Sequence, residues 1–188
     1  TTPPQIADAG DGTYVFLGAG ATITAYNVRD NTTVTALGTI TQVGAYNNWC
    51  STSSGVSGTS ALVVSDNNTA GWVFDRVYDN TTTTRLSGTT ITSGIDTQTA
   101  TSYCAVSYHG DTYYLAIADD ETTITTDNVS VWKSTDATTW TQIGVGILMT
   151  GTVNGLAIGH TGATATDDGV WVAVKDVANV KLLHFEDI

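Results

Sequence analysis

Apolar and polar residues alternate along most of this chain, in short runs separated by clusters of Asp, Asn and Gly. A period of two over four to eight residues is typical of a β-strand with one buried face. The clusters supply the turn residues that tight connections between strands require. The pattern predicts strands at 13–20, 22–28, 33–40, 45–50, 60–65, 71–79, 83–89, 102–108, 112–118, 128–134, 139–145, 153–159, 169–175 and 180–186.

The predicted strands form groups that resemble one another at a period of about 40–50 residues, which is typical of four-stranded propeller blades. The segments "SYHGDTYYLAIADD" and "IGHTGATATDDGVWVAVKD" both pass through a His and Gly turn to an aromatic-rich strand with an acidic end. We therefore predict one all-β, β-propeller-like domain over 1–188, with about four blades of four antiparallel strands. Their limits are roughly 1–40, 41–90, 91–145 and 146–188, and a β-sandwich or jelly roll is the alternative fold.

The first unit lacks a strand at its start, and the last unit lacks one at its end. A ring closed by strands from both termini would explain both gaps, because closure covers reactive strand edges. The alternative is an open array that a neighbouring chain completes. Exposed strands at either end predict partner chains, and we expect a homo-oligomer.

Composition supports strands and restricts the partners. Of the 188 residues, 37 are Thr and only 2 are Glu, so β-formers dominate over helix-formers. Six Lys and Arg stand against 18 Asp and Glu, for a net charge of −12. Such a charge excludes non-specific nucleic-acid binding as the main function and disfavours an anionic membrane surface. No apolar run approaches the roughly 20 residues that cross a bilayer, so we expect no membrane insertion.

Two cysteines, Cys50 and Cys104, end similar segments, "AYNNWC" and "TSYC", in neighbouring units. Equivalent positions in a repeat are consistent with two buried thiols or with one disulfide, and both remain open. Neither cysteine belongs to a CxxC pair, so the pattern does not favour a structural zinc site.

The segment "VWKSTDATTWTQIG" (131–144) resembles the Asp-box, or bacterial neuraminidase repeat, of sialidase-like propellers. The matching residues are Ser134, Asp136 and Trp140, while Ala137 stands where the repeat often has Gly. In such a turn the Asp carboxylate accepts hydrogen bonds from backbone N–H groups, the Ser closes the turn and the Trp packs against the blade. The resemblance implies a propeller of the kind found in secreted glycan-active enzymes and in tail or surface proteins of bacterial and archaeal viruses.

This resemblance favours a non-enzymatic virion or cell-surface protein that binds host glycans or neighbouring virion proteins, located on the virion surface or outside the cell. Shallow aromatic surfaces with Asp and Asn suit sugar hydroxyls. The candidate ligand contacts lie near the inner-strand turns: Tyr46, Trp49, Tyr108, His109 and His160. The alternative role for the aromatic residues is packing between blades, and for the histidines a place in a turn.

A sialidase-like or other glycan-cleaving enzyme is the alternative function. Enzymes of the sialidase type resemble one another in using three arginines, and this chain has only Arg29, Arg76 and Arg85. Glu121 would have to partner the nucleophilic Tyr. A general glycosidase needs two carboxylates about 5–10 Å apart, and sixteen Asp make chance pairs easy. The sequence therefore predicts no enzymatic activity and no catalytic residue.

An acidic segment, "ADDETTITTDN" (118–128), contains a candidate metal site formed by Asp119, Asp120, Glu121 and Asp127. Oxygen ligands of this kind suit Ca²⁺, although the spacing is not that of an EF-hand loop. The alternative is a solvated acidic loop at a blade edge. We expect no other cofactor, because no phosphate-binding glycine loop, Ser–His–Asp order or HExxH pattern occurs.

Overall fold

The computed structural model describes residues 5–9, 12–19, 22–28, 34–41, 48–53, 59–67, 71–78, 83–85, 91, 103–120, 127–149, 152–160, 169–176 and 179–186. Within these residues the regular structure consists of β-strands. No helix long and apolar enough to cross a membrane occurs among them.

The strands form four antiparallel sheets. Sheet A contains β1 (Gln5–Ala9), β2 (Gly12–Ala19), β3 (Thr22–Val28) and β4 (Val34–Thr41). Sheet B contains β5 (Trp49–Ser53), β6 (Thr59–Asn67), β7 (Gly71–Tyr78) and β8 (Thr83–Arg85). Sheet C contains β9 (Tyr103–His109), β10 (Thr112–Asp120), β11 (Asp127–Ser134) and β12 (Thr141–Leu148). Sheet D contains β13 (Val153–His160), β14 (Val170–Asp176) and β15 (Val180–Phe185).

In every sheet the strands lie side by side in chain order. The first strands of successive sheets contact one another, β1 with β5, β5 with β9 and β9 with β13. The sheets therefore stand around their first strands as propeller blades do, and not as two stacked layers. The predicted all-β, propeller-like fold class is confirmed.

Three apolar cores fill the junctions between successive sheets. Because side chains alternate between the two faces of a strand, β10 sends Leu115 into the core shared with sheet B and Ala116 into the core shared with sheet D. Sheets A and B meet around Phe16 and Trp49, whose rings lie edge to face at 6.2 Å. Four sheets with three cores form an open array: among the described residues, no core joins sheet D to sheet A.

The prediction that the first unit lacks a strand at its start was wrong, because β1 pairs with β2 as the first strand of sheet A. Sheet D has three described strands, with its last strand at 180–185. The predicted closure of the ring by both termini is not present in the described part of the chain, because β1 already lies in sheet A beside β2.

Cys50 and Cys104 form a disulfide, with Cα atoms 5.8 Å apart. Of the two possibilities for these cysteines, two buried thiols or one disulfide, the structure has the disulfide. It joins β5 to β9, the first strands of sheets B and C, beside the core between these sheets. The two adjacent blades are therefore linked covalently at their innermost strands.

Candidate functional site

In sheet C, successive connections between antiparallel strands lie at opposite ends of the sheet. The residues at these two ends differ in their chemistry. The histidine end carries the turns β9–β10 and β11–β12, and His109 stands at the end of β9. The acidic end carries Asp119 and Asp120 of β10 and Asp127 of β11. In sheet D, β13 ends with His160 beside His109, so the same two ends continue into that sheet.

A two-residue turn positions His109. His109 pairs with Thr112, and the two residues between them, Gly110 and Asp111, have φ values of 54° and 62°. Two successive positive φ values are typical of a type I′ hairpin turn, in which Gly and Asp are favoured. The Tyr108 hydroxyl donates a hydrogen bond to Asp111 Oδ1 at 3.1 Å. Burial, and then this hydrogen bond to Asp111, raise the pKa of Tyr108.

Four side chains from two sheets meet at the histidine end. Ser107 Oγ lies 2.6 Å from His160 Nε2, and the His160 ring stacks on the His109 ring with centroids 4.9 Å apart. The Tyr114 ring lies 4.6 Å from the same imidazole. Burial, and then the neighbouring His109, lower the pKa of His160. His160 is therefore neutral at pH 7, with one ring nitrogen that accepts and one that donates.

A cavity of about 300 Å³ opens next to this cluster. Tyr114 pairs with Lys133, and Lys133 pairs with Thr141, so these three side chains share one face of sheet C. The cavity wall carries hydroxyl groups and one ammonium group, from Thr112, Tyr114, Lys133, Ser134, Thr135, Thr139 and Thr141. Such a wall can donate to and accept from a small polar molecule.

The β11–β12 turn is organised by Asp136. Its Oδ1 accepts hydrogen bonds from the backbone N–H groups of Thr138 at 2.7 Å and Thr139 at 2.8 Å, and from Ser134 Oγ at 3.0 Å. Partial burial raises the pKa of Asp136, but these hydrogen bonds together outweigh that effect and lower it. Trp140 stacks on Phe74 of sheet B with centroids 4.9 Å apart.

Ala137 follows the carboxylate with a φ of 56°, in the left-handed region, which explains why Gly suits this position. The hydrogen bonds of Ser134 and Asp136 and the packing of Trp140 are those that the resemblance implies. The identification of the turn as an Asp-box stays a prediction.

At the acidic end, the backbone register places Asp120 directly opposite Asp127, and Asp119 opposite Asn128. Directly opposed residues of antiparallel strands have Cβ atoms about 4.5–5.5 Å apart. Glu121 lies outside the described residues. No three His, Cys, Asp or Glu side chains come together to hold a metal ion where the structure describes the chain, and the Ca²⁺ hypothesis stays a prediction.

Asp176, the last residue of β14, also lies at the acidic end. It pairs with Val153 at the start of β13 and is only 6% exposed. Its carboxylate accepts a hydrogen bond from the Asn179 N–H at 2.7 Å and lies 3.7 Å from Lys181 Nζ. Asp176 was not predicted from the sequence, although the Asp and Asn at the two ends of "DVAN" are a turn signal.

The predicted ligand contacts fall in different places. Tyr108, His109 and His160 come together at the histidine end, while Trp49 is 1% exposed and lies in the core between sheets A and B. This burial matches the packing role that the sequence analysis gave as the alternative. Tyr46 lies outside the described residues.

Two of the three arginines lie on neighbouring strands of one sheet. The backbone places Arg76 on β7 and Arg85 on β8 of sheet B, and Arg29 lies outside the described residues. Ser107 and Tyr114 were not predicted from the sequence, because their contacts with His160 depend on how two sheets pack. Lys133, which lines the cavity beside Tyr114, was not predicted either.

Comparisons with known proteins identify the fold. No protein-family model and no curated protein sequence matches the chain. Among solved structures, the chain is similar to the GH32 β-fructofuranosidase of Bombyx mori in complex with sucrose, with a TM-score of 0.61 and 9% identity over 98% of this chain and 45% of that one. It is also similar to fructan 1-exohydrolase IIa from Cichorium intybus, with a TM-score of 0.63 and 7% identity over 97% of this chain and 41% of that one.

A third similar structure is the α-L-arabinanase of Cellvibrio cellulosa, with a TM-score of 0.50 and 15% identity over 96% of this chain and 71% of that one. The chain thus spans less than half the length of the two fructoside-cleaving enzymes. At these identities the likeness establishes a β-propeller fold and leaves the chemistry to be argued from the site.

The similar structures overturn two predictions from the sequence. The prediction of a non-enzymatic virion or surface protein was wrong, and so was the prediction of no enzymatic activity, because the similar propellers are glycoside hydrolases. Scarce Arg and Glu led to the prediction of no enzymatic activity, but that scarcity bears only on the sialidase type of site. The virion or extracellular location and the partners stay predictions.

Proposed function

We propose that this chain is a glycan-cleaving enzyme, a glycoside hydrolase or a part of one, built on a β-propeller. The observation that carries the proposal is the similarity of nearly the whole backbone to GH32 propellers, at TM-scores of 0.61 and 0.63. A fold hosts many functions, so the proposal also requires carboxylates in a suitable arrangement.

The proposed carboxylates are Asp120 and Asp127 at the acidic end. Glycoside hydrolysis uses one carboxylic acid to protonate the leaving oxygen and a second carboxylate as nucleophile or as base for water. These groups lie about 5–10 Å apart in glycosidases, and the register brings Asp120 and Asp127 directly opposite each other. Asp176, buried at the same end of sheet D, supports the surrounding turn through Asn179.

The proposed substrate is an uncharged oligosaccharide. A net charge of −12 repels phosphorylated or uronic-acid substrates, since the field of the whole protein acts on an approaching anion. The similar structures include enzymes named for fructosides and for arabinan, and one of them holds sucrose. Fructosides and arabinans are therefore the first substrates to test.

The test measures release of reducing sugar from sucrose, 1-kestose and arabinan by the purified chain. We expect turnover of at least one of them, and a loss of about 10²–10⁴-fold in kcat in Asp120→Asn and in Asp127→Asn. Glu186→Gln, which removes an exposed carboxylate directly after the last strand of sheet D, is the matched control and keeps the rate.

Two results would count against the proposal. No sugar release from any of the three substrates would overturn the function. Release that survives in both aspartate variants would overturn the assignment of Asp120 and Asp127, and would move the search to other carboxylates.

A further inference from the structure

Among the described residues, sheets A and D at the two ends of the array each have one face that no other sheet covers. On sheet A, Ile6 is 64% exposed, Leu17 is 44% exposed and Val34 is 62% exposed. On sheet D, Val180 is 72% exposed and Leu182 is 62% exposed. Strand alternation places all five on the faces that point away from the three cores. Exposed apolar clusters of this kind mark interaction surfaces.

The uncovered face of sheet D is built like faces that are covered elsewhere in the molecule. The strands "GTYVFLGA" of β2 and "TYYLAIAD" of β10 align without gaps with "GVWVAVKD" at 169–176. In this alignment Tyr14, Tyr114 and Trp171 are equivalent residues. Each lies on the face of its sheet that is directed away from the preceding sheet, where the next sheet of the array would pack. Tyr14 is 0% exposed under sheet B, and Tyr114 is 3% exposed under sheet D.

Trp171 has no next sheet to cover it within the described residues. Trp171 is half-buried: its indole ring stacks on His184 with centroids 4.4 Å apart, and its Nε1 is buried without a hydrogen-bond partner in the described part of the molecule. Sheet D therefore carries, at the position equivalent to two buried tyrosines, a large aromatic residue suited to receive another sheet.

The uncovered face of sheet A corresponds to the faces that receive a preceding sheet. Leu115 and Ile117 of β10 point toward sheet B and are both 0% exposed. Val172 of β14 points toward sheet C and is also 0% exposed. The residue of β2 equivalent to Ile117 is Leu17, which is 44% exposed because no described sheet lies against that face of sheet A.

We propose that a second copy of this chain covers these faces, so that sheet D of one copy packs against sheet A of the next. The contact continues, between chains, the type of junction that the chain already makes three times within itself. It is a head-to-tail contact, which closes into a ring when the rotation between copies permits and otherwise extends into an array. Because each copy carries a net charge of −12, salt strengthens the association by screening repulsion.

Sedimentation velocity of the 188-residue chain over a range of protein and salt concentrations tests the proposal. We expect assemblies whose size grows with protein concentration and with salt. Leu182→Asp on sheet D and Leu17→Asp on sheet A each weaken association by at least about 100-fold, because either places an unpaired charge in the contact. Val145→Asp is the matched control, since Val145 is 82% exposed on the outer strand β12 of sheet C.

Mixing the two variants distinguishes head-to-tail contact from other arrangements. Each variant keeps one intact face, so an equimolar mixture forms a dimer with a single junction, while each variant alone stays monomeric. All three substitutions change residues exposed in the single copy, and equal melting temperatures confirm that they fold.

Three results would overturn the proposal. A wild-type chain that stays monomeric at every concentration and salt would show that another sheet or protein covers the faces. Weakening by Leu182→Asp without weakening by Leu17→Asp would indicate pairing of like faces. Equal weakening by Val145→Asp would indicate non-specific apolar contact.

Discussion

Sheets C and D are built from similar strands but differ in how far those strands are buried. Sheet C lies between two cores, and its residues Tyr113 to Ala118 are all at most 3% exposed. Sheet D lies against one core, so Val172 is 0% exposed while Leu182 is 62% exposed. Burial in this fold therefore depends on whether a strand has a sheet on each side, and less on how apolar the strand is.

The same difference separates the candidate sites. Sheet C supplies most of the cavity wall, the paired aspartates and the Asp136 turn. Sheet D contributes single residues from its covered side, His160 at one end and Asp176 at the other. The polar residues of the candidate sites therefore lie mainly on sheet C, which packs against a sheet on each side, and on the covered side of sheet D.

The largest expected effect concerns the bond that holds sheet C to sheet B. The double variant Cys50→Ser/Cys104→Ser should lose about 4 kcal/mol of unfolding free energy, because the disulfide spans 54 residues of sequence and restricts the unfolded chain. Urea unfolding measures this loss, and reducing agent added to the wild type is the control. A loss below about 1 kcal/mol would show that the core alone holds the junction.

The second prediction compares the two sheets directly. Leu115→Ala should cost about 2–5 kcal/mol, because it opens a cavity in the core between sheets B and C. Leu182→Ala, on the uncovered face of sheet D, should cost less than about 0.5 kcal/mol at protein concentrations where the chain is monomeric. Thermal and urea unfolding of both variants check the contrast, and equal costs would contradict it.

The third prediction concerns the Asp136 turn of sheet C. Asp136→Ala should cost about 1 kcal/mol, because the backbone N–H groups of Thr138 and Thr139 lose their acceptor and turn to water. Asp136→Asn keeps one carbonyl oxygen and should cost less. Since the folded-state pKa of Asp136 is lowered, its contribution is present above about pH 4 and is lost as pH falls further. Unfolding at pH 7 and pH 3 measures both effects.

The smallest expected effect lies where sheet D meets sheet C at the histidine end. The folded-state pKa of His160 is lowered, so the unfolded chain binds the proton more readily and stability decreases as pH falls below about 6.5. His160→Gln should flatten this part of the stability profile. His184→Gln, which removes an exposed imidazole of sheet D, is the control. An unchanged slope in His160→Gln would contradict the prediction.

Local pattern predicted most strands well. Strand β3 has the predicted bounds of 22–28, and the turn residues of "HGDT" form the expected hairpin. Strand β5 was predicted at 45–50 and observed at Trp49–Ser53, while positions 45–47 lie outside the described residues. Strand β1 was missed, since five residues beside a Pro pair and a Gly carry too little periodicity.

The candidate site was predicted only in part. The sequence pointed to Tyr108, His109 and His160, which lie together at one end of the sheets. It also pointed to acidic residues of 118–128, of which Asp119, Asp120 and Asp127 lie at the other end and Glu121 lies outside the described residues. Partners from distant positions were not predictable. Ser107 and His160 are 53 residues apart, and their contact exists only because sheet D packs on sheet C.

The sequence by itself determined the strands, their turns and the repetition of one small sheet, because side-chain alternation and turn chemistry act between neighbours in the chain. Only the tertiary structure decided which aromatic residues are buried, that Cys50 bonds to Cys104, and which faces lie open. Those properties depend on the order and packing of the sheets, which join residues that the local pattern leaves independent.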